Sequence, residues 1–350
     1  MNKLKPFIII IALFAALNCF ARDKNKVKLI KDDRRQCIDV LVDGKLFTSY
    51  LYSDTVSVLK KTVFYPIISS NGVTVTRGFP LKPRAGERVD HPHQIGSWFD
   101  YGNVNKIDFW NNSNAIPLEK APEMGTIKLA KILSMQSGTG EGALTVGLNW
   151  LNYKNDTLLY EETRFKFIAE KGVRIIDRIT TLKALNTPIT FPDDKEGLVA
   201  IRVARELELP TNEQIVLTDS RGNKTQVPVM NNKDVTGDYL SSEGIKGSAV
   251  WGTRAKWVAL SGTIKGENVT VVIFDNPQNI GFPAYWHARE YGLFAANPLG
   301  QNIFSNGKEK LNFSLDAGKS VTFKYRTMIL EGKADQPTIE KAYKDYTTNK

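Results

Sequence analysis

Histidine and cysteine are the scarce residues of this 350-residue chain, with three of the first and two of the second. Two cysteines cannot build a disulfide scaffold, a Cys-rich zinc site or an iron–sulfur site. The chain also lacks a Gly-x-Gly-x-x-Gly loop after a strand, a Walker loop, a Gly-x-Ser-x-Gly elbow and a His-Glu-x-x-His helix. Nucleotide-dependent enzymes, the common serine hydrolases and zincin proteases are thereby disfavoured. No apolar run reaches the roughly 20 residues a membrane-crossing helix needs. A hydrophobic content of 42% is ordinary for a globular protein and speaks against wholesale disorder and against a multi-span membrane protein. The net charge of +10 is spread out, with bases answered by nearby acids as in Lys31-Asp32-Asp33-Arg34-Arg35. No Lys/Arg stripe interleaved with aromatics stands out, so nucleic acid is not the expected partner.

What is present begins with a targeting segment. Lys3 and Lys5 precede eleven apolar residues, Phe7 to Leu17, and Cys19-Phe20-Ala21 offers small residues at the two positions a signal peptidase inspects. Residues 1–21 read as a secretory signal peptide, which leaves 22–350 as a single domain that is periplasmic or secreted. Acylation at Cys19 is the lesser alternative, because Asn18 is a poor match to the small residue that such a site prefers. Once Cys19 leaves with the signal peptide, Cys37 stands alone and no intramolecular disulfide can form. The mature form carries no membrane span.

The rest reads as strands. Ile38, Val40 and Val42 share a face by parity, and Asp43-Gly44 turns the chain into Leu46-Phe47-Thr48. A meander follows over 144–153, 158–168 and 173–182, with period two in Thr163, Phe165 and Phe167. Runs at 257–262 and 269–275 repeat the logic, and 311–315 with 320–330 is expected to form a last hairpin. Only 337–346 looks helical, with Thr338 as cap and Ile339, Ala342 and Tyr346 on one face. Strands at short spacing without intervening helices predict an all-β protein, a large β-sandwich ending in a short helix.

All three histidines lie in two polar–aromatic motifs: Asp90-His91-Pro92-His93-Gln94-Ile95-Gly96-Ser97-Trp98 and Tyr285-Trp286-His287-Ala288-Arg289-Glu290-Tyr291-Gly292. In an extended segment His91 and His93 face the same way. With His287 they could bind a divalent metal ion as a three-nitrogen set, or they could move protons. A third cluster, Asp193-Asp194-Lys195-Glu196-Gly197, precedes a strand in which Arg202 is the one charged residue. Arg202 there needs either an acid of the same cluster or a polar ligand. Arg77, at the end of Val73–Thr76, could reach a pocket mouth, and Trp98, Trp110 and Trp286 supply flat faces on which sugar rings could stack. Cys37, with no histidine near it in sequence, reads as a structural thiol.

These motifs, with Tyr65-Pro66, Thr76-Arg77-Gly78-Phe79-Pro80, Asp108-Phe109-Trp110, Trp251-Gly252 and the continuation Leu293 to Gly300, make the chain similar to secreted bacterial proteins of the PmoA family. The resemblance covers nearly the whole mature chain. It implies a supersandwich resembling the galactose mutarotase-like fold of aldose epimerases, in which a His and an acidic residue work as an acid–base pair with an Arg on the sugar. Methane oxidation, which the family label borrows from a membrane enzyme, is not expected from a chain without a span.

The resulting expectation is a small-molecule carbohydrate ligand and epimerase, lyase or hydrolase chemistry. His93, His287 and Glu196 are the expected catalytic residues, with Arg77, His91, Trp98, Asp194, Lys195, Arg202, Trp286 and Arg289 around the substrate. No cofactor is expected on this reading. The alternatives are a metal enzyme using His91, His93 and His287, and a non-catalytic glycan-binding protein.

Overall fold

A computed structural model describes residues 25–348, so residues 1–21, expected to be a signal peptide, and Cys19 among them lie outside the described residues. In chain order the strands are β1 (Lys26–Asp32), β2 (Cys37–Val42), β3 (Lys45–Leu51), β4 (Val63–Ile67), β5 (Ser97–Tyr101) and β6 (Thr126–Gln136). Then come β7 (Gly138–Thr139), β8 (Glu141–Leu151), β9 (Thr157–Glu170), β10 (Val173–Ala184), β11 (Ile189–Phe191), β12 (Gly197–Arg202) and β13 (Asp238–Ser241). The remainder are β14 (Trp257–Ile264), β15 (Glu267–Asp275), β16 (Tyr285–Ala288), β17 (Leu293–Asn297), β18 (Phe313–Leu315) and β19 (Ser320–Glu331). Two helices, α1 (Gln301–Phe304) and α2 (Gln336–Thr348), complete the set with three short 3-10 turns.

Local chemistry explains the hairpins. Asp43 and Gly44 both take positive φ, 49° and 78°, the turn whose twist matches that of the strands it joins. Lys265 and Gly266 do the same between β14 and β15, at 52° and 85°. In β9 Thr163, Phe165 and Phe167 are buried while Glu162 and Arg164 are exposed, as period two requires.

The strands form two large antiparallel sheets. One has nine strands in the order β16-β17-β12-β5-β4-β3-β2-β1-β7, the other eight in the order β13-β14-β15-β19-β10-β9-β8-β6. Their inner faces make the main core, where Phe64 meets Phe165 edge-on at 4.8 Å and Phe99 lies 6.0 Å from Phe323. Each such phenyl removed from water contributes about 1.5–3 kcal/mol. This is the all-β sandwich with a C-terminal helix that the strand pattern predicts.

Both outer faces are covered as well. Helix α2 lays Ile339 and Tyr343 on the eight-stranded sheet against Trp257 and Phe274. Its cap is Asp335, whose Oδ1 accepts the Thr338 amide at 3.0 Å, rather than Thr338 itself. On the nine-stranded sheet, long connections bury a separate cluster of Val63, Ile95, Trp98, Trp110, Ala200, Leu293 and Ala295.

One expected pairing is wrong: β18 pairs with β11 in a two-stranded ribbon, not with β19. Thr190 is tied to Asn105 and Asp193 to the amides of Leu311 and Asn312, which hold both ribbon strands away from β19.

Candidate functional site

The site is built on the outer face of the nine-stranded sheet. His287 pairs with Ala295, Ala295 with Ala200 and Ala200 with Trp98, so these four lie in one row on one face. The two alanines between His287 and Trp98 are buried under the connections that cover this face. The alternate row, Trp286, Ala296, Val199 and Phe99, points into the main core.

The Asp193–Gly197 loop runs over the end of this row. The Asp193 carboxylate accepts the amides of Asn302, Leu311 and Asn312. The Asp194 amide donates to the Tyr101 hydroxyl at 2.8 Å, and its carbonyl accepts Asn297 Nδ2 at 2.8 Å. The Glu196 carbonyl accepts the Gly102 amide at 2.9 Å. A side chain at Gly102 would put its Cβ 2.9 Å from that of Glu196, so the close approach depends on glycine.

This anchoring sets Glu196 beside His287. The His287 Nδ1 lies 3.0 Å from the Lys195 carbonyl and 3.7 Å from Glu196 Oε2. A carbonyl only accepts, so Nδ1 carries the proton and Nε2 the lone pair. Burial pushes the imidazole down to about 3, with Arg289, Lys195 and His91 adding repulsion, so the ring is neutral at physiological pH. The Glu196 side chain is 15% exposed, and burial raises its carboxyl to about 7, against the pull of Lys195 at 3.4 Å. Asp194 is also raised by burial and accepts the Glu196 amide at 3.0 Å.

An arc of rings and cations leads away from this pair. Phe304 meets His287 edge-on at 6.0 Å and Trp251 at 5.7 Å. The Arg289 guanidinium lies 5.5 Å from the Trp251 ring and 5.6 Å from that of Tyr291. Tyr291 stacks on His91 at 4.8 Å and 7°, and His91 meets His93 at 5.7 Å. The two histidine motifs, nearly 200 residues apart in sequence, thus meet as one surface.

Beneath it lies a lock of buried charge. Arg77 donates to Asp90 Oδ1 at 2.8 Å and to the carbonyls of Arg88, Asp90, His91 and Gln94. Arg202 donates to the same Asp90 oxygen at 2.7 Å and to Gln94 Oε1, with its guanidinium 4.8 Å from the Tyr291 ring. Arg77 and Arg202 are both buried, and Arg77 is pushed down to about 9 by burial and by Arg202. A second buried group, Lys61 with Asp100, sits against Trp98 and Trp110.

Several expectations need correcting on this geometry. Arg77 does not reach a pocket mouth; its guanidinium is consumed in holding the 88–94 loop. Arg202 pairs with Asp90 and not with an acid of the 193–197 cluster. Trp98 and Trp286 offer no stacking platform: both are 0% exposed, with indole N–H groups given to Asp100 and to the Ala255 carbonyl. His93 is buried, pushed down to about 2 by burial and nearby cations, and has no partner at Nε2. The three imidazoles are not brought together as the expected three-nitrogen set: His91 stacks on Tyr291, and His287 lies beside Glu196 instead. Among the described residues no three His, Cys, Asp or Glu side chains are arranged for a metal ion.

His287, Glu196, Lys195, Asp194, Arg289 and His91 do come together. Tyr291, Trp251 and Phe304 are the site residues that sequence reasoning missed, although Tyr291 and Trp251 stand inside quoted motifs. Trp251 follows a 3-10 turn, where strand parity gives no facing, and it emerges 40% exposed.

A two-sheet sandwich with a carboxylate–imidazole pair at the margin of one outer face is the class that fold and site define. The chain belongs to the family of unknown function DUF6807, whose sequence profile matches residues 37–344. No curated protein sequence matches it significantly.

Among solved structures, it is similar to galactose 1-epimerase from Lactobacillus acidophilus NCFM, at 9% identity and a TM-score of 0.37, covering 88% of this chain and 100% of that one. A galactose mutarotase-like protein from Clostridium acetobutylicum gives 9% and 0.35, over 88% and 99% of the two chains. The GH36 α-galactosidase AgaB from Geobacillus stearothermophilus gives 11% and 0.40, over 87% of this chain but only 41% of the larger enzyme. The chain therefore spans about two fifths of the α-galactosidases it matches.

Proposed function

We propose that the protein is a secreted, carbohydrate-active enzyme of the PmoA-family type, in which Glu196 and His287 exchange protons with a sugar. The observation that carries this reading is the Glu196 carboxyl, raised to about 7 and 3.7 Å from a neutral imidazole. A carboxyl near half-protonation at neutral pH can give or take a proton, and the His287 Nε2 lone pair supplies a second base. Arg289 and the aromatic arc would orient the ring, while Asp90, Arg77 and Arg202 hold His91 and Tyr291 in place.

The test is a ¹H NMR survey of free aldohexoses, hexuronic acids and their aryl glycosides, following anomer exchange, epimerisation, bond cleavage and unsaturated products. Turnover by the wild type should fall at least about a hundredfold in Glu196→Gln and in His287→Ala, while both variants still unfold cooperatively from a native state. Full turnover in both variants would overturn the assignment. Sugar binding without turnover by any of the three proteins would make the site that of a glycan-binding protein.

A further inference from the structure

We infer that the cavity beside the acid–base pair is a single-sugar subsite that takes a hexuronate, with Trp251 as the stacking face and Arg289 as the carboxylate anchor. The inference deepens the sugar-chemistry reading of the Glu196–His287 site and rests on it. The cavity measures about 220 Å³, and Arg88, Trp251, Arg289 and Tyr291 line it. Drug-sized pockets run to about 300–1,000 Å³, so this one suits one pyranose ring rather than an oligosaccharide. Phe304 joins it to the reactive pair, touching Trp251 on one side and His287 on the other.

The chemical class follows from the guanidiniums. Arg77 and Arg202 share the Asp90 carboxylate, and Arg88 and Arg205 share that of Glu208. Arg289 differs. Among the described residues no carboxylate lies within 4.0 Å of it, and its side chain makes no hydrogen bond. Two ring faces hold it in place, leaving its planar fork of N–H donors open, and that fork matches a carboxylate two bonds at a time. Glu213 and Glu290 are exposed at the cavity rim. They repel a doubly charged phosphate more than a single carboxylate, and they can accept hydroxyls from the ring. Trp251, 40% exposed, is the apolar face against which the C–H side of that ring would lie.

The test is calorimetric titration of the Glu196→Gln protein, in which chemistry is disabled, with methyl β-glucuronoside and methyl α-galacturonoside against methyl β-glucoside and methyl α-galactoside. At least one uronoside should bind about ten- to a hundredfold tighter than its neutral counterpart, the range expected for charge-assisted bonds. Adding Arg289→Gln should abolish that preference, Arg289→Lys should keep only part of it, and Trp251→Ala should weaken acidic and neutral sugars alike. Equal binding of the two classes, or a preference that survives Arg289→Gln, overturns the hexuronate assignment. Absence of binding by all four probes overturns the subsite. Arg289-dependent binding of a uronoside that the wild type never converts would leave the subsite standing and remove the enzymatic reading. Turnover of a neutral sugar without uronoside preference would do the reverse.

Discussion

Replacing Asp90 by Asn removes the one carboxylate that Arg77 and Arg202 share. Its Oδ1 accepts Arg77 at 2.8 Å and Arg202 at 2.7 Å, while His91 Nδ1 lies 3.1 Å from Oδ2. Arg77 would keep its four carbonyls and Arg202 its Gln94 oxygen, but two buried positive charges would lose their counter-charge. Breaking a buried pair costs about 3–5 kcal/mol. Asp90 is 31% exposed, which places the loss at the lower end, about 3 kcal/mol. Urea unfolding measures it directly: at roughly 3 kcal/mol per molar, the midpoint should fall by about 1 M.

The pH dependence gives the sign. Burial opposes the Asp90 charge, but Arg202, His91 and Arg77 outweigh it and hold the carboxyl well below the usual carboxylate range. Its stabilisation is therefore complete above the unfolded value of about 3.9 and is lost as pH falls toward the folded one. Wild type and variant should differ most near neutrality and converge in acid. A loss under about 1 kcal/mol at pH 7 would mean that solvent already screens the carboxylate, and the lock beneath His91 and Tyr291 would not exist.

Trp98→Ala should cost about 3–5 kcal/mol in the same assay, because the indole is wholly buried against Trp110 at 5.2 Å and donates to Asp100. Stability should fall as pH drops from about 6.5 toward 3, since unfolded His93 and His287 bind protons that their folded forms, at about 2 and 3, refuse. In His93→Gln or His287→Asn that slope should be shallower. Glu196 acts in the opposite sense: its raised carboxyl makes stability fall as pH rises from about 4.5 to 7, so Glu196→Gln should gain on the wild type above pH 7, by about 3 kcal/mol.

Alternation and turn chemistry carried most of the fold into the sequence. Strand β2, the β8–β10 meander and the β14–β15 hairpin follow from period two and from turns such as Asp43-Gly44. The β11–β18 pairing was not legible, because it joins segments more than 120 residues apart through Asn105 and Asp193, with no local signal. The helix cap was legible in principle, since Asp335 stands three residues before the amide it accepts.

At the site, motif content identified His287, Glu196 and Arg289 but could not say which neighbours were spent. Motif content put Trp98 and Arg202 at the site without revealing that long connections cover that face of the sheet. Arg202 also takes its partner from Asp90, 112 residues away. Trp251 lay outside any strand, and so its exposure had no periodic signature.

The chemistry of the site depends on Glu196 titrating near neutrality beside a neutral His287. This is tested by ¹³C NMR titration of the glutamate side-chain carboxyls, with the Glu196 resonance assigned by its loss in Glu196→Gln. The expected midpoint lies near 7. A midpoint at the ordinary glutamate value of about 4.3 would contradict it.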